Sequence, residues 1–117
     1  MTLARHAAPR AFMRAMRDDV LTGPASLDPV VRRAIFDYAS ARARGDASAQ
    51  LLQPDEVRAF VDAVVRDART ADVGPLRAAG HSEERIYELA VLTAVAAGTE
   101  RAQRGLLLLQ SALGGLL

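Results

Sequence analysis

Between residues 57 and 68 the apolar side chains fall at Val57, Phe60, Val61, Val64, Val65 and Ala68. That is the spacing of a one-sided α-helix, without a miss. Nowhere does the chain carry the alternating apolar–polar run, bounded by turn residues, that marks a strand. The pattern is helical almost throughout, so the expected fold class is all-α. A length of 117 residues makes one domain. Half of the residues are hydrophobic, which supports a core and argues against disorder. Area scaling for 12.5 kDa gives a folded surface of about 6,000 Å².

The spacing predicts about six helices. The first spans about 10–21, with Phe12, Met16 and Val20 on one side and Thr22, Gly23 and Pro24 ending it. The second opens with Asp28 as N-cap and Pro29 at the first helical position. Its predicted stripe is Val30, Ala34, Tyr38 and Ala41, and Gly45 stops it. Phe36 lies off that stripe and asks for a second apolar contact. Residues 45–53 form a polar connection, the one loop long enough for a flexible insert. The third helix starts at Pro54, with Asp55 and Glu56 in its positive first turn. Arg58, Asp62 and Arg66 make a solvated ladder on its outer side. A short piece over 70–79 is capped by Asp72 and closed by Gly80. Ser82 caps the next helix. Residues 89–97 are apolar all round, the mark of a helix buried on every side. Gly98 and Thr99 are predicted to break it, with a last helix over 100–113.

That last helix carries more leucine than one contact can use. Ala102, Gly105, Leu106, Leu109 and Leu113 share the face expected to join the core. Leu107 falls on the polar side and Leu108 widens the stripe, so Leu107, Leu108 and the off-stripe Phe36 are the candidates for a subunit interface.

Composition excludes several functions. The chain has no cysteine, hence no disulfide, thiolate metal site or thiol chemistry. Two histidines, His6 and His81, are too few for a dedicated zinc site. All 15 basic residues are arginine and the net charge is +1, a balance that gives no support for nucleic acid. The longest uncharged stretches, 89–99 and 105–117, fall short of the ~20 residues a membrane span needs. Residues 1–10 hold no apolar run fit for a signal peptide. Neither a phosphate-binding glycine loop nor a Gly-x-Ser-x-Gly elbow occurs.

The catalytic candidates are His81, Glu84 and Glu88. His81 precedes a helix start beside Glu83 and Glu84; its plain reading is an exposed residue before a cap. Glu84 and Glu88 are spaced to share a metal, but no histidine stands at helical spacing, and such acids usually complement the helix dipole. Tyr38 and Tyr87 are expected in the core with their hydroxyls at the rim. The pair of helices around Gly80 has a helix-turn-helix layout. Its second helix, however, would present Glu83, Glu84 and Glu88 to phosphates.

Residues 76–89 read Leu-Arg-Ala-Ala-Gly-His-Ser-Glu-Glu-Arg-Ile-Tyr-Glu-Leu. The run resembles the "aaG-x-S-x-E-x-I-x-E-L" segment of the carboxymuconolactone decarboxylase and alkylhydroperoxidase D superfamily, through Ala79, Gly80, Ser82, Glu84, Ile86, Glu88 and Leu89. Residues 19–32 resemble that family's opening, a glycine-containing turn followed by "l-x-p-x-x-R". The likeness covers about 19–113. It implies an orthogonal helical domain over 19–117, with 1–18 as a helical extension, and a homo-oligomer. The redox members carry C-x-x-C-x-x-x-H; counted back from Gly80, those positions are Val65, Ala68 and Asp72 here. The thiol peroxidase reaction needs a thiolate and a resolving thiol, so it is excluded.

The resulting expectation is a cysteine-less member of the superfamily, a homo-oligomeric binding or structural protein of bacterial, cytoplasmic origin. It needs no cofactor and no metal, binds neither nucleic acid nor membrane, and has room for a small-molecule ligand. The alternatives are a decarboxylase-like enzyme acting on a small lactone or acid, and a small helical DNA-binding regulator.

Overall fold

The computed structural model describes residues 2–22 and 27–116, with the side chains of 11–21 and 27–114. The described residues form five α-helices and no strand: α1 Thr2–Thr22, α2 Pro29–Ala43, α3 Asp55–Asp67, α4 Gly74–Ala78 and α5 Glu83–Leu116. A 3₁₀ turn, Ala68–Thr70, follows α3. The all-α expectation holds, with five helices in place of six.

The count differs because Gly98 and Thr99 do not break α5, which runs unbroken for 34 residues. A glycine inside a helix costs only about 1 kcal/mol relative to alanine. Three arginine contacts hold the continuation in place. Arg44 pairs with Glu100 at 2.8 Å, Arg104 donates to the Arg44 carbonyl at 3.3 Å, and Arg101 donates to the Val65 carbonyl. The C-terminal ends of α2 and α3 are thereby fastened to the middle of α5.

The first half of α5 is central, as its composition predicts. It lies against α1, α2 and α3, and Ile86, Leu89, Leu92, Ala96 and Ala97 are buried along it. α3 buries Val57, Phe60, Val61, Val64 and Val65 against it as its spacing requires, while Ala68 is exposed in the 3₁₀ turn. On α2 the predicted stripe is corrected. Val30 and Ala34 face outward, and Ile35, Phe36 and Ala39 turn inward beside Tyr38. The inward set carries the larger apolar area, so its burial decides the helix rotation. Phe36, 6% exposed, lies within the chain's own core and is not a free interface residue. The 45–53 connection is pinned by the buried Leu51, with Leu52 outside.

The predicted caps form. Asp28 accepts from the Val30 amide at 2.8 Å, and the Ser82 hydroxyl accepts from the Arg85 amide at 3.1 Å. Gly45 and Gly80 have φ of +85° and +91°, a region that glycine enters freely. Each closes its helix in a Schellman arrangement. After α4, Gly80 donates to the Arg77 carbonyl and His81 to the Leu76 carbonyl, both at 3.0 Å.

α1 crosses residues 18 and 19 without interruption, so the expected division between an extension and a domain falls inside a helix. The Gly23–Pro24 stop lies outside the described residues. The molecule measures 55 × 29 × 24 Å, with a radius of gyration of 16.0 Å; about 13 Å is usual for this length. Its surface of 7679 Å² is roughly a quarter above the scaling value for a compact chain of this mass. The second half of α5 accounts for this elongation, since a helix of 34 residues is about 51 Å long at 1.5 Å per residue.

Candidate functional site

Three regions hold what chemistry the fold offers: a polar seam at the start of α5, a polar cluster between α2 and α3, and an apolar groove along the second half of α5.

At the seam, the Schellman closure at Gly80 turns His81 inward. Its Nε2 lies 3.4 Å from Glu56 Oε1 in the first turn of α3, and the imidazole is mostly buried. Its Nδ1 is buried without a hydrogen-bond partner among the described residues. The exposed position expected for His81 is thus corrected, and Glu56 is the partner that sequence reasoning missed. The other acids do not join this pair. Arg77 donates twice to Glu83, Nε to Oε1 at 2.6 Å and Nη2 to Oε2 at 3.1 Å. Those bonds hold the Glu83 carboxyl below its usual range and raise the guanidinium. Glu84 is exposed. Glu88 accepts from the Leu27 amide at 3.0 Å, which ties the chain entering α2 to α5. No group of three or more His, Asp or Glu among the described residues is placed to hold a metal ion.

The positions matching the redox motif are separated in role. Val65 is core, Ala68 is exposed, and Asp72 accepts from the Gly74 amide at 2.9 Å, opening α4.

A second polar cluster joins α2 to α3. The Tyr38 hydroxyl donates to Asp62 Oδ1 at 2.6 Å, and Arg42 stands 3.5 Å from the same oxygen. Burial, and then the bond to Asp62, raise the Tyr38 pKa. Asp62 therefore faces α2, while Arg58 turns to Asp55, and the predicted outer ladder on α3 does not form. Tyr38 keeps its hydroxyl at the rim as expected, but Tyr87 is exposed.

The groove between α1 and α5 encloses about 720 Å³. Phe12 and Met16 form one wall; Val95, Gly98, Leu106 and Leu109 lie along the other. Leu109 is 54% exposed and Leu113 is also exposed, which overturns the expectation that their face joins the core. Among the described residues the last buried side chain of α5 is Ala97, and past it α2 and α3 reach the helix at their C-terminal ends, through Arg44 and Val65. Leu107 and Leu108 are exposed too, on sides of the helix away from the groove. Leu107 lies in a smaller hollow with Arg14 and Arg17. From residue 105 to 116 the helix has no charged residue. It is therefore apolar nearly all round, and four of its leucines, Leu107, Leu108, Leu109 and Leu113, are exposed.

No helix among the described residues is long and apolar enough to cross a membrane. No family model, no curated protein and no solved structure matches the chain. Fold and surface together define the class, a small all-helical protein with one long apolar helix face left open.

Proposed function

We propose that the chain is a self-associating helical protein with a binding or structural role, a cysteine-less relative of the carboxymuconolactone decarboxylase and alkylhydroperoxidase D superfamily. One observation carries the functional part: the exposed apolar tail of α5 with the groove beside it. Monomeric proteins rarely expose contiguous apolar patches beyond a few hundred Å² unless the patch binds something. Here Phe12, Leu107, Leu108, Leu109 and Leu113 are all exposed within the same two helices. The kinship rests on residues 76–89, where Gly80, Ser82 and Glu84 stand in the superfamily's pattern.

The decarboxylase-like reading draws on one contact, His81 with Glu56. It is the weaker reading, because Glu88, the acid it would need nearby, is engaged by the Leu27 amide. The DNA-binding reading is disfavoured by the acids at the start of α5.

Light scattering tests the proposal. A mass that is a multiple of 12.5 kDa is expected at micromolar concentration. Leu109→Glu, on the groove face, should lower that mass while helical circular dichroism survives. A wild-type chain that stays monomeric at high micromolar concentration overturns the reading.

A further inference from the structure

We infer that the groove is filled by a second copy of the chain, whose α5 runs antiparallel to the first about a twofold axis between Gly105 and Leu106. The inference rests on the self-association proposed above and specifies its geometry.

The open face of α5 is continuous. At 100° per residue, Gly98, Ala102, Gly105, Leu106, Leu109 and Leu113 fall within about 100° of one another. All but the half-buried Leu106 are exposed, and none is charged. An occupant matched to this face is itself a helix with one long, uncharged, apolar face. The chain contains such a helix, the same segment.

The order of side chains selects the direction. With the axis between residues 105 and 106, an antiparallel partner sets Leu113 over Gly98, Leu109 over Ala102 and Leu106 over Gly105. Each large side chain meets a small one, in both directions at once, as an isologous contact requires. At Gly98 and Gly105 nothing lies within 4 Å of where a Cβ would stand, so each site is open to a neighbour's leucine. A parallel pair would instead stack glycine on glycine and leucine on leucine, with voids at one level and overpacking at the next.

The size also agrees. The stretch 98–113 is about 24 Å long. With α1 alongside at a helix spacing of 8–10 Å, the face is two helices wide, or about 500 Å². The side chains of Phe12 and Met16 extend it toward the roughly 800 Å² per partner of a standard interface. The excess of surface over a compact chain is of the same order.

The natural chain has no cysteine, so single introduced cysteines label cleanly. Spin labels on Gly105→Cys should report a backbone separation close to the 8–10 Å of packed helices. Labels on Leu113→Cys should lie about 22 Å apart along the helix direction, fifteen residues of rise. A mixture of Gly98→Cys and Leu113→Cys chains should give a close cross-pair. Gly98→Leu fills the hole meant for Leu113; overpacking of this kind weakens association by about tenfold or more, while the helix content stays. A protein that is oligomeric but shows close Leu113–Leu113 labels, or keeps its affinity with Gly98→Leu, overturns this geometry and leaves self-association standing. A chain that is monomeric throughout, or that binds anionic phospholipid vesicles without self-associating, overturns both.

Discussion

Each half of α5 holds a stretch that is apolar nearly all round, 89–97 and 105–116, yet their surroundings differ. Residues 83–97 hold the buried side chains of α5, whereas 98–114 hold none and meet the C-terminal ends of α2 and α3 through Glu100, Arg101 and Arg104. Leu89 is 1% exposed and Leu109 is 54% exposed. Composition of a helix thus tells that it wants to be covered; the packing of the neighbouring helices decides whether it is. The burial of α5 ends at about Gly98, where the arginine contacts to the ends of α2 and α3 mark the edge of the core.

The sharpest contrast is between charges placed in the two halves. Leu89→Asp puts an unpaired carboxylate in the core, a cost of several kcal/mol against typical stabilities of about 5–15. Loss of soluble folded protein is expected. Leu109→Glu meets solvent in the isolated chain, so the thermal midpoint of the monomer should stay within the small range of surface changes. If Leu109→Glu unfolds the chain while Leu89→Asp does not, the halves have been assigned the wrong way round.

Tyr38→Phe tests the seam that clamps α2 to α3 outside the core. It deletes a hydrogen bond to a carboxylate, worth about 1.5–3 kcal/mol, and chemical denaturation should show a loss in the lower part of that range because Arg42 still pairs with Asp62. The pH dependence has a definite sign. The folded Tyr38 pKa is raised above the ordinary 10.0, so the phenol ionises more readily in the unfolded chain. This stabilisation is complete below pH 10 and is lost as pH rises through the folded value. Wild-type melting should therefore drop more steeply above pH 10 than that of Tyr38→Phe.

Smaller effects separate the halves further. Gly98→Ala should raise helix stability by about 1 kcal/mol, since a Cβ there meets nothing; a loss of stability in the monomer would place a neighbour at Gly98 within the chain. Thr93, wholly buried, has a hydroxyl without a hydrogen-bond partner among the described residues. Thr93→Val keeps the shape and removes that polar group, so calorimetry should find it neutral or stabilising by up to about 1 kcal/mol. A clear destabilisation would reveal a partner for the hydroxyl.

Much of the fold was legible locally. The α3 stripe, the caps at Asp28 and Ser82, the stops at Gly45 and Gly80 and the central position of 89–97 all follow from periodicity and backbone chemistry. What was not legible depended on distant partners. The place of Phe36 is not local, because the rotation of α2 is settled by which neighbour gains most apolar area. Gly98 reads as a break, but the carbonyls of Val65 and Arg44, far away in sequence, anchor the segment after it. His81 reads as solvent-facing because its contact with Glu56 spans 25 residues. The groove left a trace in sequence, the surplus leucines, but on which side they stand free required α1 to be in place.

The unbroken course of α5 through Gly98 also has a mechanical consequence. A break there would have let the tail swivel, and whatever gripped it would have held the body loosely. A single rod of 34 residues, fastened at its middle by Arg44, Arg101 and Arg104, transmits orientation from end to end. Fixing the tail fixes where Glu84 and Tyr87, some 40 Å away along the rod at 1.5 Å per residue, point in space, so an assembly gripping the tail would hold its bodies at a set spacing and angle rather than on a tether.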